Sequence, residues 1–234
     1  MTATADIQTL FEAGAHFGYV RARRHPSAAS YLFGTKDRTD IFDLEETGRR
    51  LEAAIAFAAS VPGKQVLFVG GKHEAIGIVK AAAERVGAPY VAGRWIGGTL
   101  TNFKNIRKRI DRLEKLVGER ERGELEKYTK RERLMIDREI DELLGRFGGL
   151  VSMTDLPAAL FIVDSRHENT AVLEANQLKI PVIGLSSSDC DFSLVQYPIP
   201  ANDTSVRSIS LMTNLIADAY AESKRAAIAP ASAK

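Results

Sequence analysis

The sequence predicts a doubly wound α/β domain with a mainly parallel sheet, interrupted by an inserted antiparallel α-helical coiled-coil hairpin. Three features predict it. Short, uninterrupted apolar runs alternate with helical patterns. Those runs lack polar alternation, so each strand is covered on both faces, as parallel sheets are. Finally, the charged stretch Lys104–Phe147 breaks the rhythm with apolar residues spaced three and four apart.

In chain order, Ile7, Leu10 and Phe11 form a short amphipathic segment ahead of Gly14 and Gly18. Tyr31–Phe33 and Thr39–Phe42 are β-prone runs, and Gly34-Thr35-Lys36-Asp37-Arg38 between them reads as a hairpin. Asp43–Ser60 carries Leu44, Leu51, Ile55 and Ala58 at helical spacing. Gln65–Val69 is then a strand, Glu74–Val86 a helix and Tyr90–Ala92 a strand. Beyond the insert, Ala159–Val163, Glu168–Leu178 and Pro181–Leu185 repeat the pattern, and Asp203–Glu222 closes with a helix. The expected organisation is a discontinuous flavodoxin- or Rossmann-like domain over residues 1–103 and 148–225, a hairpin over 104–147, and a frayed alanine-rich tail over 226–234.

Within the insert, Ile106, Ile110, Leu113 and Val117 make one narrow seam, and Ile136, Ile140, Leu143 and Phe147 make another. Two such seams pair. Gly118 and Gly123 interrupt the first helix, expected over Thr99–Val117, while Thr129 and Glu132 supply a capping box for the second. At about 100° per residue, Lys104, Lys108, Arg112 and Lys115 fall opposite the first seam. From Arg94 to Ile110 the basic residues Arg94, Lys104, Arg107, Lys108 and Arg109 have no acidic residue among them. The plain reading is a solvated helical face, as on the second helix, where Glu132, Asp137, Glu139, Asp141 and Glu142 alternate with Lys130, Arg131, Arg133 and Arg138. The sharper reading is RNA, because phosphates attract Lys and Arg while unstacked bases attract aromatic faces such as Trp95 and Phe103. A second basic group, Arg21, Arg23, Arg24, His25, Lys36 and Arg38, surrounds Tyr19, Tyr31 and Phe33.

Composition narrows the classes. Apolar residues make up 45% and charged residues 26% of 234, as in a folded soluble chain, and the net charge of +2 leaves room for local basic patches. The single cysteine, Cys190, excludes an intramolecular disulfide and a multi-cysteine metal site, in keeping with a reducing, cytoplasmic location. No apolar run approaches the roughly 18 residues of a membrane span. Met1–Gly14 carries Asp6 and Glu12 where a signal peptide needs a basic start and an apolar middle.

An enzyme remains the alternative, one acting on a phosphorylated small molecule. Gly70-Gly71-Lys72 follows a strand and precedes a helix, although neither GxxxxGK[ST] nor GxGxxG is present. Asp164-Ser165-Arg166-His167-Glu168 ends a strand at the sheet edge where α/β enzymes keep their sites, but no GxSxG elbow occurs, and a helix cap from Asp164 or Ser165 is the simpler role. His16, Asp189, Asp191 and Asp203 match no recognised metal spacing, so no metal and no cofactor is expected, and His16 is expected to be hydrogen-bonded in the core.

At the level of whole motifs the chain resembles the bacterial small-subunit ribosomal protein S-two family. The residues that carry the resemblance are Gly14-Ala15-His16-Phe17-Gly18, Phe33-Gly34, Asp43-Leu44-Glu45, Leu67-Phe68-Val69-Gly70, the segment Arg94–Asn102 reading RWIGGTLTN, Leu156-Pro157 with Ala159-Leu160-Phe161, Glu174-Ala175-Asn176, Ile180-Pro181-Val182, and Ile199-Pro200 with Asn202-Asp203. They run in order along nearly the whole chain. The resemblance implies a non-catalytic ribosomal role: contacts with small-subunit ribosomal RNA, not DNA or a membrane, and a place beside neighbouring small-subunit proteins, including the large mRNA-binding one. On this view the RNA-binding candidates are Arg21, Arg23, Arg24, Lys36, Arg38, Arg94, Trp95, Asn102, Lys104, Arg107, Lys108, Arg109 and Arg112. In RWIGGTLTN, Gly97 and Gly98 permit close backbone approach or positive φ, and the amides near Thr99 and Thr101 can meet a phosphate or an inward-turned side chain. Trp95 is open to two roles, stacking on a base or anchoring the hairpin root in the core. Tyr19 stands where the family often has histidine, and the stretches Arg23–Ser30 and Ser186–Asp191 also depart from its pattern.

Overall fold

The computed structural model describes residues 6–61 and 63–228, and the expectations for residues 1–5 and 229–234 lie outside it. The chain opens with α1 (Ile7–Glu12), β1 (Phe17–Val20), β2 (Leu32–Lys36) and β3 (Thr39–Phe42), followed by α2 (Leu44–Ala59), β4 (Val66–Val69), α3 (His73–Val86) and β5 (Tyr90–Val91). Two long helices come next, α4 (Phe103–Glu121) and α5 (Lys130–Phe147). The chain then returns through β6 (Ala159–Val163), α6 (Asn169–Gln177), β7 (Val182–Ser186), β8 (Tyr197–Pro200) and α7 (Val206–Ile228).

The larger sheet runs β5-β4-β6-β7-β8, with every neighbouring pair parallel. Its first strand, β4, lies inside the sheet. The chain steps outward to β5, crosses back over β4 to β6, and continues to β8, so the winding reverses between β4 and β6. Side chains alternate across the pleat: Val66, Phe68, Phe161, Val163, Ile183 and Leu185 enter a core completed by α2, α3 and α7. Leu67, Val69, Leu160, Ile162 and Val182 enter a second core with α6 and the near ends of α4 and α5. This two-sided burial is what the uninterrupted apolar runs required.

A second sheet, ordered β1-β3-β2 and antiparallel, lies on the N-terminal side of the sequence. Its β2–β3 hairpin matches the expected one, but β1 was not anticipated, because Gly18 and the flanking polar residues hid it. Gly18 is required there: a Cβ would lie 2.9 Å from Ser188 Oγ and 3.2 Å from the Asp40 carbonyl. Strand β8 was hidden by Pro198 and Pro200. It is an edge strand, where a missing N–H costs no ladder bond.

The insert also differs in its bounds. Helix α4 starts at Phe103 rather than Thr99 and passes through Gly118, ending just before Gly123, which takes φ 73°. Leu116 is buried and Val117 only partly so, shifting the seam by one residue at that end. Arg112 pairs with Glu139 at 3.2 Å and Arg120 with Asp137 at 3.9 Å, so the two helices run in opposite directions. The capping box is formed: Thr129 Oγ1 accepts from the Glu132 amide at 3.4 Å, while the Glu132 carboxylate accepts from the Thr129 amide at 2.9 Å. Thr129→Ala is expected to cost about 1 kcal/mol, read as faster amide exchange through the first turn of α5. At the other end of the chain, α7 continues through Ile228, so the part of the expected tail that is described is helical.

Candidate nucleic-acid interface

The root of the hairpin is organised by one carboxylate. Glu174, on the buried side of α6, accepts from Trp95 Nε1 at 3.1 Å, the Gly98 amide at 2.7 Å, the Leu100 and Thr101 amides at 3.0 and 3.1 Å, and the Thr101 hydroxyl at 3.1 Å. Burial opposes its charge, but these donors outweigh burial and hold its pKa below the ordinary carboxylate value. The amides of this segment therefore meet an inward-turned side chain and not a phosphate. Gly98 adopts φ 88°, the conformation that lets the loop wrap the carboxylate. The bonds to the loop explain why α4 begins only after Asn102. Trp95 is 8% exposed and packs in the core beside Leu100 and Ile106, so its ring offers no stacking face.

The crevice between β4 and β6, where a doubly wound fold would take a ligand, is filled from within. The Gly71 amide donates to Glu168 Oε1 at 3.0 Å, which puts a carboxylate where a phosphate would sit. A Cβ on Gly71 would lie 2.4 Å from the Gly93 carbonyl, so the turn closes as tightly as glycine allows. Lys72 Nζ lies 3.1 Å from both Asp164 Oδ2 and Asp203 Oδ1 and 3.2 Å from the Tyr19 hydroxyl. Burial disfavours the ammonium, but the Asp203 and Asp164 charges prevail and raise its pKa. Asp164 also caps the following turn by accepting from the Arg166 and His167 amides at 3.1 and 2.9 Å, whereas Ser165 bonds Ser186.

Asp164, Cys190 and Asp203 are the one cluster with metal-ligand geometry among the described residues. Lys72 Nζ already occupies the space between its two carboxylates, and burial followed by the two aspartate charges pushes the Cys190 thiol up to about 12, so it stays protonated. Of His16, Asp189, Asp191 and Asp203, only Asp203 belongs to this cluster. Asp189 pairs with Arg166 at 2.6 Å and Asp191 bonds Ser193. The expected core hydrogen bond of His16 is not formed at Nδ1. Its ring stacks on Phe11 with centroids 4.5 Å apart, and burial lowers its pKa.

The basic candidates fall into two groups. Arg24 is tied to buried Asp40 and donates to Thr35 at 2.8 Å, bracing the small sheet. Arg107 pairs with Asp111 and Glu114 and donates to the Val151 and Met153 carbonyls, and Arg112 is held by Glu139. These three are engaged by partners within the chain. By contrast Arg21, Arg23, Lys36, Arg38, Arg94, Lys104, Lys108 and Arg109 are exposed and form no ion pair among the described residues. Asn102 is exposed, and its side chain accepts from Asn105 at 2.9 Å. The sequence missed Glu174, Glu168 and Lys72 as organising residues; an acid on the apolar side of a short helix was the available signal for Glu174.

Comparison with known proteins shows the family. The family model described as Ribosomal protein S2 matches residues 10–223. The chain is 42% identical over 225 residues to the small ribosomal subunit protein uS2 of Syntrophobacter fumaroxidans, covering 95% of this chain and 82% of that one. Identity is also 42% over 224 residues to the uS2 protein of Coprothermobacter proteolyticus, covering 95% and 84%. The uS2 protein of Chloroherpeton thalassium matches at 42% over 219 residues, covering 93% and 88%.

Proposed function

Because the chain belongs to the Ribosomal protein S2 family, we propose that it is a structural constituent of the small ribosomal subunit that binds ribosomal RNA through two exposed basic patches. The family is one of structural ribosomal proteins and not of enzymes, and its place is the ribosome. The crevice that would have served a phosphorylated substrate is closed by Glu168 and by the Lys72 ion pairs.

The observation that carries the RNA reading is the stretch Arg94–Ile110, which has no acidic residue and exposes Arg94, Lys104, Lys108 and Arg109 without ion pairs among the described residues. Cations left unneutralised by their own chain are available to phosphates. In this reading the α/β body, residues 1–103 and 148–225, is the platform. The hairpin over 104–147 reaches between RNA elements, and the assembled protein helps seat neighbouring small-subunit proteins, including the large mRNA-binding one.

Reversing Lys104, Lys108 and Arg109 to Glu is expected to remove the protein from small subunits in a sucrose gradient while leaving its melting curve intact. The slope of log K against log salt for ribosomal RNA should become shallower by roughly 2 to 3. Unchanged co-sedimentation would place the RNA contacts elsewhere. Subunits lacking this chain should also lose the mRNA-binding neighbour, and retention of that neighbour would overturn the recruitment role.

A further inference from the structure

The small antiparallel sheet carries a feature that the fold does not use. Phe33 is 82% exposed, and it is the most exposed large apolar side chain among the described residues. The ladder shows how it is turned out. Leu32 pairs with Phe42 and Gly34 with Ile41, which leaves Phe33 as the extra residue of a β-bulge, a device that re-aims a side chain. Two other aromatics of the region are engaged. Tyr19 bonds Lys72, and Tyr31 packs on Phe192 with ring centroids 4.7 Å apart and takes Arg50 over its face.

Two residues along β2 from Phe33, Thr35 lines an open cavity of about 850 Å³ together with Val20, Arg21, Ala22 and Arg38. The Arg21 amide donates to the Arg38 carbonyl at 2.8 Å, so two like charges stand side by side, and neither is neutralised among the described residues. Arg38 is also held in an unfavourable backbone. Asp37 and Arg38 take φ 49° and 64°, the left-handed pair of a two-residue hairpin turn whose second position favours glycine. A guanidinium placed where the turn prefers no side chain, and next to another guanidinium, adds nothing to folding.

We propose that this face is a nucleotide site, with one unpaired RNA base stacked on Phe33 and its flanking phosphate held between Arg21 and Arg38. The inference rests on the RNA-binding reading above and adds to it a stacking residue and a class of ligand, a single-stranded nucleotide. Bare aromatic faces beside free guanidinium groups suit an unstacked base and its phosphate, and a paired helix would offer Phe33 no face.

The test uses the full chain and protein-free small-subunit ribosomal RNA. Phe33→Ala is expected to weaken binding by about 5- to 150-fold, the range one base–aromatic stack is worth, while Phe33→Trp keeps the affinity and shows quenched emission on binding. Dimethyl sulfate probing should reveal one unpaired nucleotide whose reactivity changes with the wild-type protein and not with Phe33→Ala. Arg38→Gly separates folding from binding, because it should raise or preserve the melting temperature while lowering RNA affinity. If Phe33→Ala binds as tightly as wild type, the stacking site is overturned and the wider RNA reading stands. A photocrosslinker at position 33 that captures protein and no RNA in assembled subunits would also overturn it. Wild-type protein without RNA affinity would overturn both.

Discussion

Glu174→Ala is expected to lower the melting temperature by roughly 6–12 °C and to weaken RNA binding although it removes no cation. The carboxylate takes five donors, of which the Leu100 amide and the Trp95 indole N–H belong to buried residues. Stranding these two, and returning the Gly98 and Thr101 groups to water, costs about 3 kcal/mol. Glu174→Gln should lose nearly as much, because its amide nitrogen would turn a donor toward donors, and this outcome distinguishes lost acceptance from lost volume. The pH dependence has a definite sign. A folded pKa held below the unfolded value contributes stability above about pH 4.5, and that contribution disappears as pH falls through the folded value. Calorimetry between pH 3 and pH 6 should therefore show an acid-labile component in wild type that is absent from Glu174→Gln. Equal melting temperatures for all three proteins would mean that the segment from Trp95 to Asn102 is held by packing alone. The RNA effect follows because this segment aims α4, and with it Lys104, Lys108 and Arg109.

How far the sequence was legible can be seen in the same residues. Apolar runs such as Leu67–Val69 and Ala159–Val163 announced a two-sided parallel sheet because burial on both faces leaves no polar alternation to misread. The capping box at Thr129 and Glu132 was legible because both partners lie within one turn. RWIGGTLTN was legible as a place where amides collect, but not as the cradle of Glu174, which lies more than 70 residues away in sequence. Partners far along the chain also hid the capture of Arg112 by Glu139, 27 residues away, and of Lys72 by Asp203, 131 residues away. Each looked like a free cation in a linear reading. Arg107 was different: Asp111 stands one turn further along the same helix, so its pairing was open to a local reading. Strand β8 was obscured by Pro198 and Pro200, whose tolerance depends on an edge position that only the sheet order reveals.

The second large effect concerns Lys72, which is only partly buried. Lys72→Met is expected to destabilise the protein by about 3–5 kcal/mol at neutral pH, the usual consequence of stripping the partner from buried charge, and to steepen the gain in stability that this site shows on acidification. In the wild type, burial, reinforced by the nearby Asp164 charge, already lifts the pKa of Asp203 despite Lys72, and Asp203 Oδ2 has no hydrogen-bond partner. Asp164 stays low against burial with help from the His167 amide and Lys72. Without the ammonium, two carboxylates face each other in a dry site, and at least one pKa must rise well above its unfolded value. A carboxyl group whose folded pKa is raised contributes stability that is fully present below the unfolded pKa and lost as pH climbs through the folded one. The variant should therefore gain more stability than the wild type as pH is lowered from 8 toward 5, because the wild type, with Asp203 already lifted to about 7 by burial, gains with the same sign but less. Lys72→Met combined with Asp203→Asn removes the second charge and should recover much of the loss at pH 7 while flattening the dependence. Urea melts of the three proteins at pH 5, 6, 7 and 8 decide it. If the single variant is as stable as wild type at pH 7, or if the added Asn gives no recovery, then Lys72 is not what keeps the acids of this crevice compatible, and the crevice has room for a cation from outside.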